Sequence, residues 1–383
     1  MTTALSFPAP PEGSDHPALR AEVRAFLAET LGPDFSAPER ARSWSGHDPD
    51  FSRALGARGW LGMTLPERYG GHARSAMERY VVIEELLAAG APVAAHWIAD
   101  RQSAPLILQH GSEAQRRDIL PRIAAGDCYF CIGMSEPDSG SDLAATRTRA
   151  LPEPGGFRVS GTKLWTTYAH AAHYMILFCR TDMNSERQAG TSQLLVDMTT
   201  PGITVRPIID MAGEHHFNEV TFDDVFLPET ALIGRAGDGW AQVMGELAFE
   251  RSGPDRFLSS FALLNELLRV LGRAPDLAAR RAVGRLGAHL MVLRHMSRSV
   301  AGLLTRGEDP ALQAAVVKDL GALLEQEIPE IARALLPVQA EAGAVDPFAA
   351  TLARTLLSAP AFSLRGGTRE ILRGIIARGL GLR

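Results

Sequence analysis

Cysteine is scarce in this chain, and long apolar stretches are missing. The 383 residues hold three cysteines, Cys128, Cys131 and Cys179. An odd, small number argues against a disulfide framework. Cys128 and Cys131 have the spacing of a redox or zinc pair, but no second Cys/His pair stands at matching distance. They read as buried thiols in an apolar, strand-like run. No run of about 18 apolar residues occurs, so no membrane span is expected. The opening residues lack a basic stretch followed by an apolar core, so no secretory leader is expected and the cytoplasm is the default compartment. An excess of either charge is also missing. Lys+Arg number 39 against 44 Asp+Glu, a net charge of −5, which gives no reason to expect nucleic-acid binding. A hydrophobic fraction of 46% with 22% charged residues fits a globular chain able to bury a large core in two or three domains.

The texture changes twice along the chain. Residues 1–125 read as helical, with Leu19, Val23, Phe26 and Leu27 on one apolar face and Tyr80, Ile83, Leu86 and Leu87 on another. Residues 126–236 read as a β domain. Phe157 and Val159 alternate with polar neighbours, and Tyr174 to Phe178, Gln193 to Val196 and Val220 to Phe226 are short β-rich runs divided by turn residues. Residues 237–383 return to a helical period. Phe257, Phe261, Leu264, Leu268 and Leu271 form one stripe, Val283, Leu286, Leu290 and Leu293 a second, and Leu312, Val316, Leu320 and Leu323 a third. Such stripes predict a helical bundle.

Two segments of the β domain carry chemical promise. Met134-Ser135-Glu136-Pro137-Asp138-Ser139-Gly140-Ser141-Asp142 is a polar turn with small residues and free hydroxyls, suited to a phosphate or a polar ring edge. Trp165-Thr166-Thr167 is an aromatic plate followed by two hydroxyl residues. Together they suit a flat aromatic cofactor with a phosphate tail. His215-His216 has no carboxylate or Cys partner at ligand spacing, so it reads as a surface loop and no metal site is expected.

The segment from Cys131 to Asp142 resembles the first signature of the acyl-CoA dehydrogenase family. Gly161-Thr162-Lys163-Leu164-Trp165-Thr166-Thr167 is similar to the family's Gly-x-Lys-x-Trp-Ile-Thr. Phe217-Asn218-Glu219-Val220-Thr221-Phe222-Asp223-Asp224-Val225 with Pro228 resembles a third family motif, and Gly366-Gly367-Thr368-Arg369-Glu370-Ile371 a fourth. The resemblance implies a mainly α protein with a central β domain: an N-terminal helical domain, a β-barrel-like middle domain and a C-terminal four-helix bundle. It implies FAD as cofactor, an acyl-CoA substrate and an electron-transfer flavoprotein as acceptor. It also implies oxidation of the thioester to the trans-2-enoyl product, with a base taking the α proton while the Cβ hydride goes to flavin N5.

The resemblance also assigns residues. Most members carry the catalytic Glu immediately before the Gly-Thr of the last signature, where this chain has Gly366. A minority carry it on the first long helix of the bundle, and Glu250-Arg251 falls on that pattern, with Glu246 one turn earlier. Glu250 is therefore the expected base, Arg251 its orienting or substrate-contacting neighbour, and the Gly366 N–H a donor to the thioester carbonyl. Met134 and Ser135 are assigned to the pyrimidine side of the flavin, Ser141 to the pyrophosphate or CoA end, Trp165 and Thr167 to the ring. Arg273, Thr368 and Glu370 are assigned to the nucleotide half. Glycine at 366 suggests room for branched or cyclic acyl chains.

The pattern also breaks. Arg273 has the spacing of the family's Arg-x-x-Phe-Gly clamp, but Asp276-Leu277 replaces Phe-Gly, and Gln339-Ala340-Glu341-Ala342-Gly343-Ala344 does not match the Gln-x-x-Gly-Gly-x-Gly that usually follows. A homotetramer or dimer is expected, or a heterotetramer in which an unlike subunit completes the nucleotide site. A flavin oxidase on the same scaffold is the other alternative.

Overall fold

The computed structural model describes residues 5–251 and 253–382; the side chains of residues 246–250, and with them Glu246 and Glu250, lie outside that description. The N-terminal helices are α1 (Pro17–Leu31), α2 (Ala37–Arg40), α3 (Pro49–Ala57), α4 (Ala76–Ala88), α5 (Ala94–Ile98), α6 (Ala104–His110) and α7 (Glu113–Ala124). Ser75 and Ser112 start α4 and α7 with capping boxes closed by Glu78 and Gln115. Strands follow: β1 (Phe130–Gly133), β2 (Arg149–Glu153), β3 (Gly156–Thr167), β4 (Tyr174–Arg180), β5 (Thr191–Asp197), β6 (Ile203–Ile209), β7 (His215–Pro228) and β8 (Leu232–Ile233). The last six helices are α8 (Gly239–Glu250), α9 (Phe261–Leu271), α10 (Leu277–Thr305), α11 (Ala311–Leu335), α12 (Pro347–Phe362) and α13 (Arg369–Gly379). Among the described residues no helix is long and apolar enough to cross a membrane.

The chain divides into two compact units. One comprises Asp48–Ala73 and Ala95–Leu247, the other Met1–His47, Arg74–Ala94 and Ala248–Arg383. The first is built on an eight-stranded sheet of order β6-β7-β3-β2-β4-β5-β8, with β1 pairing in parallel to β4. Strand β4 shows why the sheet is covered on both faces. Its Met175, Leu177 and Cys179 join one core cluster with Val159, Val196 and Val220, whereas Ile176 joins Leu65, Ile107, Ile119 and Leu120 in a helical cluster. That is the period of two expected of a strand. Cys131 lies in the first cluster and Cys128 in the second, and burial raises the thiols of both. Two thiols on opposite sides of a sheet do not make a metal pair.

In the second unit α4 packs on α1 and α10, and α11 packs on α9, α10, α12 and α13. The α11 stripe expected from the large residues is misphased. Leu320 and Leu323 are exposed, and the buried positions are Ala314, Val317, Gly321, Leu324 and Ile328. Small residues take the contacts because the neighbours come close: a Cβ on Gly321 would lie 2.1 Å from the carbonyl oxygen of Arg256.

Charge also sits inside this unit. Glu84 and Glu85 of α4 are both buried. Arg20 of α1 reaches Glu84 at 2.6 Å and Glu85 at 2.5 Å; Arg24 binds Glu85 at 2.7 Å, and Arg294 of α10 binds Glu84 at 2.7 Å. Each carboxylate is thus bridged twice, which offsets the cost of removing it from water. Arg20→Met leaves Glu84 and Glu85 with one cation each. We expect a loss of about 3 kcal/mol, read as a lower urea midpoint at unchanged slope. A loss under about 0.5 kcal/mol would put this network in the class of surface ion pairs.

Candidate active site

Strand β3 carries the first group of expected site residues, and a bulge aims them. Lys163 pairs with Val220 and Thr166 with Asn218, so Leu164 and Trp165 stand opposite Glu219 alone. Trp165 takes a positive φ of 60° and is 55% exposed. A bulky residue in the left-handed region costs roughly 1–2 kcal/mol, and such strain clusters at functional positions. Its ring meets Phe217 edge-on at 5.9 Å. Asn218, wholly buried, holds the bulge by donating Nδ2–H to the Thr166 carbonyl at 3.0 Å.

The Met134–Asp142 turn is fixed to this bulge from below. Leu164 N–H donates to the Ser135 carbonyl at 2.9 Å, so Met134, Ser135, Trp165 and Thr167 come together. The fully buried Lys163 donates to the Met134 carbonyl at 2.9 Å, to Glu136 Oε1 at 2.8 Å and to Thr146 Oγ1 at 3.2 Å. Glu136 also accepts from Thr146 Oγ1 at 2.5 Å, Arg147 N at 2.7 Å and Thr148 N at 2.9 Å. Burial alone would raise the Glu136 carboxyl, but the Lys163 ammonium and these donors pull it down to about 2. The hydroxyls of Ser135, Ser141 and Thr167 have no partner among the described residues. An exposed aromatic plate beside unused hydroxyls fits a flat, polar, phosphate-bearing ring system.

The second group lies in the other unit. Arg251 follows α8, is buried, and donates Nε–H to the Gly366 carbonyl at 3.1 Å. Gly366 and Gly367 have φ of 68° and 93°, which favours glycine at both. A Cβ on Gly366 would stand 3.0 Å from the Arg256 guanidinium. The space that glycine frees is therefore filled by Arg256, not left open for an acyl chain. Arg256 pairs with Asp255 at 3.0 Å, and Arg365 donates to Glu325 at 3.1 Å while stacking over Trp44 and Phe362. The buried Lys318 donates to the Phe362 carbonyl at 2.5 Å, and burial, with Arg256 and Arg365 nearby, brings its amine down to about 7. Thr368 caps α13 by accepting from Ile371 N, and Glu370 is exposed in its first turn. Arg273 is exposed in the loop between α9 and α10, apart from both groups in the chain.

Sequence reading named the residues that face outward and passed over those that aim them: Lys163 and Glu136 beneath the turn, Asn218 beneath the bulge, and Arg256 at the glycine pair. A signal for Lys163 was present. It continues the inward positions Phe157 and Val159, where a lysine needs a buried acid.

Comparison with known proteins adds an independent line. Family models for the acyl-CoA dehydrogenase N-terminal, middle and C-terminal domains match residues 13–127, 131–225 and 237–381. The acyl-CoA dehydrogenase FadE34 of Mycobacterium tuberculosis is 34% identical over 94% of this chain; the chain spans 48% of that protein's length. The Tcur3481-Tcur3483 steroid ACAD is 27% identical with a TM-score of 0.84, covering 99% of each chain. A chain of the ChsE4-ChsE5 complex from Mycobacterium tuberculosis is 29% identical with a TM-score of 0.83, covering 100% of each.

Three expected outcomes test the scaffold. Glu136→Gln strands a buried ammonium and should cost about 3–5 kcal/mol, whereas Glu136→Gln with Lys163→Met should recover most of it in urea denaturation. Additive losses would sink the pairing. Because the folded carboxyl lies below its usual 4.5, its stabilisation is complete above pH 4.5 and fades as pH falls toward 2. The buried Lys318 amine gives a slope of the same sign in a higher pH window. Between pH 7 and 10.5 the unfolded chain holds a proton that the native state has released, so stability rises with pH there, by up to about 1.4 kcal/mol per unit. Lys318→Met should remove that slope; equal slopes in both proteins would contradict it.

Proposed function

The chain belongs to the acyl-CoA dehydrogenase family, and on that premise we propose that it oxidises an acyl-CoA thioester to the trans-2-enoyl-CoA with Glu250 as the base. The observation that carries this reading is the Arg251–Gly366 hydrogen bond. It ties the C-terminal end of α8, where Glu250 is the last residue, to the turn on which most of the family carries its base. At that turn the Arg256 guanidinium stands where a side chain on residue 366 would begin. A carboxylate relocated to α8 serves the same turn from the adjoining backbone.

In this reading Glu250 removes the proton from Cα, and the electron pair of that bond becomes the new Cα–Cβ π bond as a hydride leaves Cβ. The Gly366 N–H donates to the thioester carbonyl, which accepts the developing enolate charge. Arg251 orients Glu250. Met134, Ser135, Trp165 and Thr167 hold the flavin ring, Ser141 the pyrophosphate or CoA end, and Arg273, Thr368 and Glu370 the nucleotide half. FAD, when bound, supplies the two-electron acceptor, which an electron-transfer flavoprotein would then reoxidise. The steroid ACAD among the structural relatives supports a bulky polycyclic acyl group.

A second reading has its own support. The chain matches one member of a two-protein complex over its full length, and Asp276-Leu277 departs from the clamp that homotetramers use. In that form a second, unlike subunit completes the FAD site.

Anaerobic mixing with a panel of acyl-CoAs tests the proposal. Native protein should bleach its flavin, and Glu250→Gln should slow bleaching by about 10²–10⁴-fold while still binding substrate. Full-rate bleaching by the variant would move the base elsewhere. A colourless single chain that turns yellow only with a second chain would select the heteromeric reading. Faster turnover with O₂ than with the flavoprotein would make it an oxidase.

A further inference from the structure

The hairpin joining β6 to β7 gathers side chains that the proposed reaction does not use. Its turn is closed by Asp210 N donating to the Glu214 carbonyl and Gly213 N donating to the Asp210 carbonyl, each at 3.0 Å. The Asp210 carboxylate is fixed as well: Oδ1 accepts from Ala212 N at 2.8 Å and Glu214 N at 2.9 Å. That leaves Oδ2 facing His216 Nδ1 at 3.6 Å. The His216 ring lies 4.1 Å from the Phe217 ring, and its carbonyl accepts from Tyr168 N at 2.8 Å. One ligand atom from each of Asp210, Glu214 and His216 lies within 4.8 Å of the other two, and all three residues are half-buried.

We propose that Asp210, Glu214 and His216 bind a divalent first-row transition ion such as Zn²⁺ or Mn²⁺. The separations suit coordination better than direct pairing. A hydrogen bond between nitrogen and oxygen closes to about 2.9 Å. Two ligands each roughly 2.1 Å from one ion at a tetrahedral angle stand about 3.4 Å apart, near the 3.6 Å between Asp210 and His216. The donor set is one imidazole nitrogen and two carboxylates. The two negative charges neutralise a divalent ion, and three protein ligands leave positions for water. Bound there, the ion cross-links the turn to the first residues of β7. Its effect reaches the bulge through Phe217, whose ring meets Trp165.

The sequence hid this set because Asp210 and Glu214 lie on either side of a turn, so residue spacing alone does not bring their side chains together. They converge only because the turn folds Asp210 back onto Glu214.

The test uses untagged protein stripped of metal and titrated with Co²⁺, followed by its visible d–d bands and by calorimetry. One Co²⁺ per chain should bind and be displaced by Zn²⁺. Glu214→Gln and Asp210→Asn preserve shape, and the amide oxygen that the second change introduces can still accept the two backbone N–H groups. Each should weaken binding by roughly 10–100-fold, with unchanged circular dichroism, whereas His289→Ala on α10 should leave it intact. Zn²⁺ should raise Tm in native protein and not in the two variants. Absence of uptake at millimolar Co²⁺, or uptake unchanged in both variants, would overturn the proposal.

Discussion

The buried pair between Lys163 and Glu136 is the constraint on which the β-domain site depends. An ammonium and a carboxylate, both nearly without solvent, stay there only because every donor and acceptor is used. Satisfying them pulls three stretches of chain together: the Met134–Asp142 turn, residues 146–148 and the middle of β3. The turn cannot drift without breaking several bonds to charged groups at once. That rigidity lets Trp165 sit in a strained conformation with its ring exposed. Strain of this kind persists only where the surroundings over-determine the backbone. Here Asn218 supplies the other half of the grip, bonding Thr166 above while its Oδ1 meets His170 and His215.

Much of the fold was legible because it follows from period. The alternation at Phe157 and Val159 in β3, the β-rich runs of β4 and β7 and the apolar faces of α1 and α4 could be read from residue type alone. Where reading failed, charge or smallness had taken a position that pattern reserves for large apolar groups. Leu320 and Leu323 looked like core and are exposed, while Gly321 and Lys318 are inside. Glu84 and Glu85 of α4 are buried against arginines more than 60 residues away on one side and about 210 on the other. Short-range pattern cannot report a partner at that separation. Strands β6 and β2 were missed because they show little apolar face: β6 fully buries none of its residues and β2 only Ala150.

The site was legible in a different way. Its outward-facing members stand in motifs whose residue types declare their chemistry, so Trp165, Thr167 and Ser135 could be named without coordinates. The members that do the aiming look ordinary in sequence. Asn218 and Arg256 acquire meaning only from what lies across from them: a bulge in one case, a glycine without a side chain in the other.

The glycine at 366 has a consequence for charge as well as space. The turn around it is braced by Arg251, Arg256 and Arg365, three cations, against Asp255 and Glu325, two anions, so the set carries 3 − 2 = +1 before Lys318 is counted. In the majority arrangement, as the resemblance implies it, a carboxylate emerges from this turn; here a guanidinium fills that place. A buried positive field lowers the energy of any negative charge brought beside it. On the reading proposed above, two such charges arrive there: the carboxylate of the base and the enolate oxygen that forms as the α proton leaves. On that same reading, a base on α8 would share these cations with the enolate without occupying the same backbone, and Arg251, bonded to the turn and next in sequence to Glu250, would join the two arrangements.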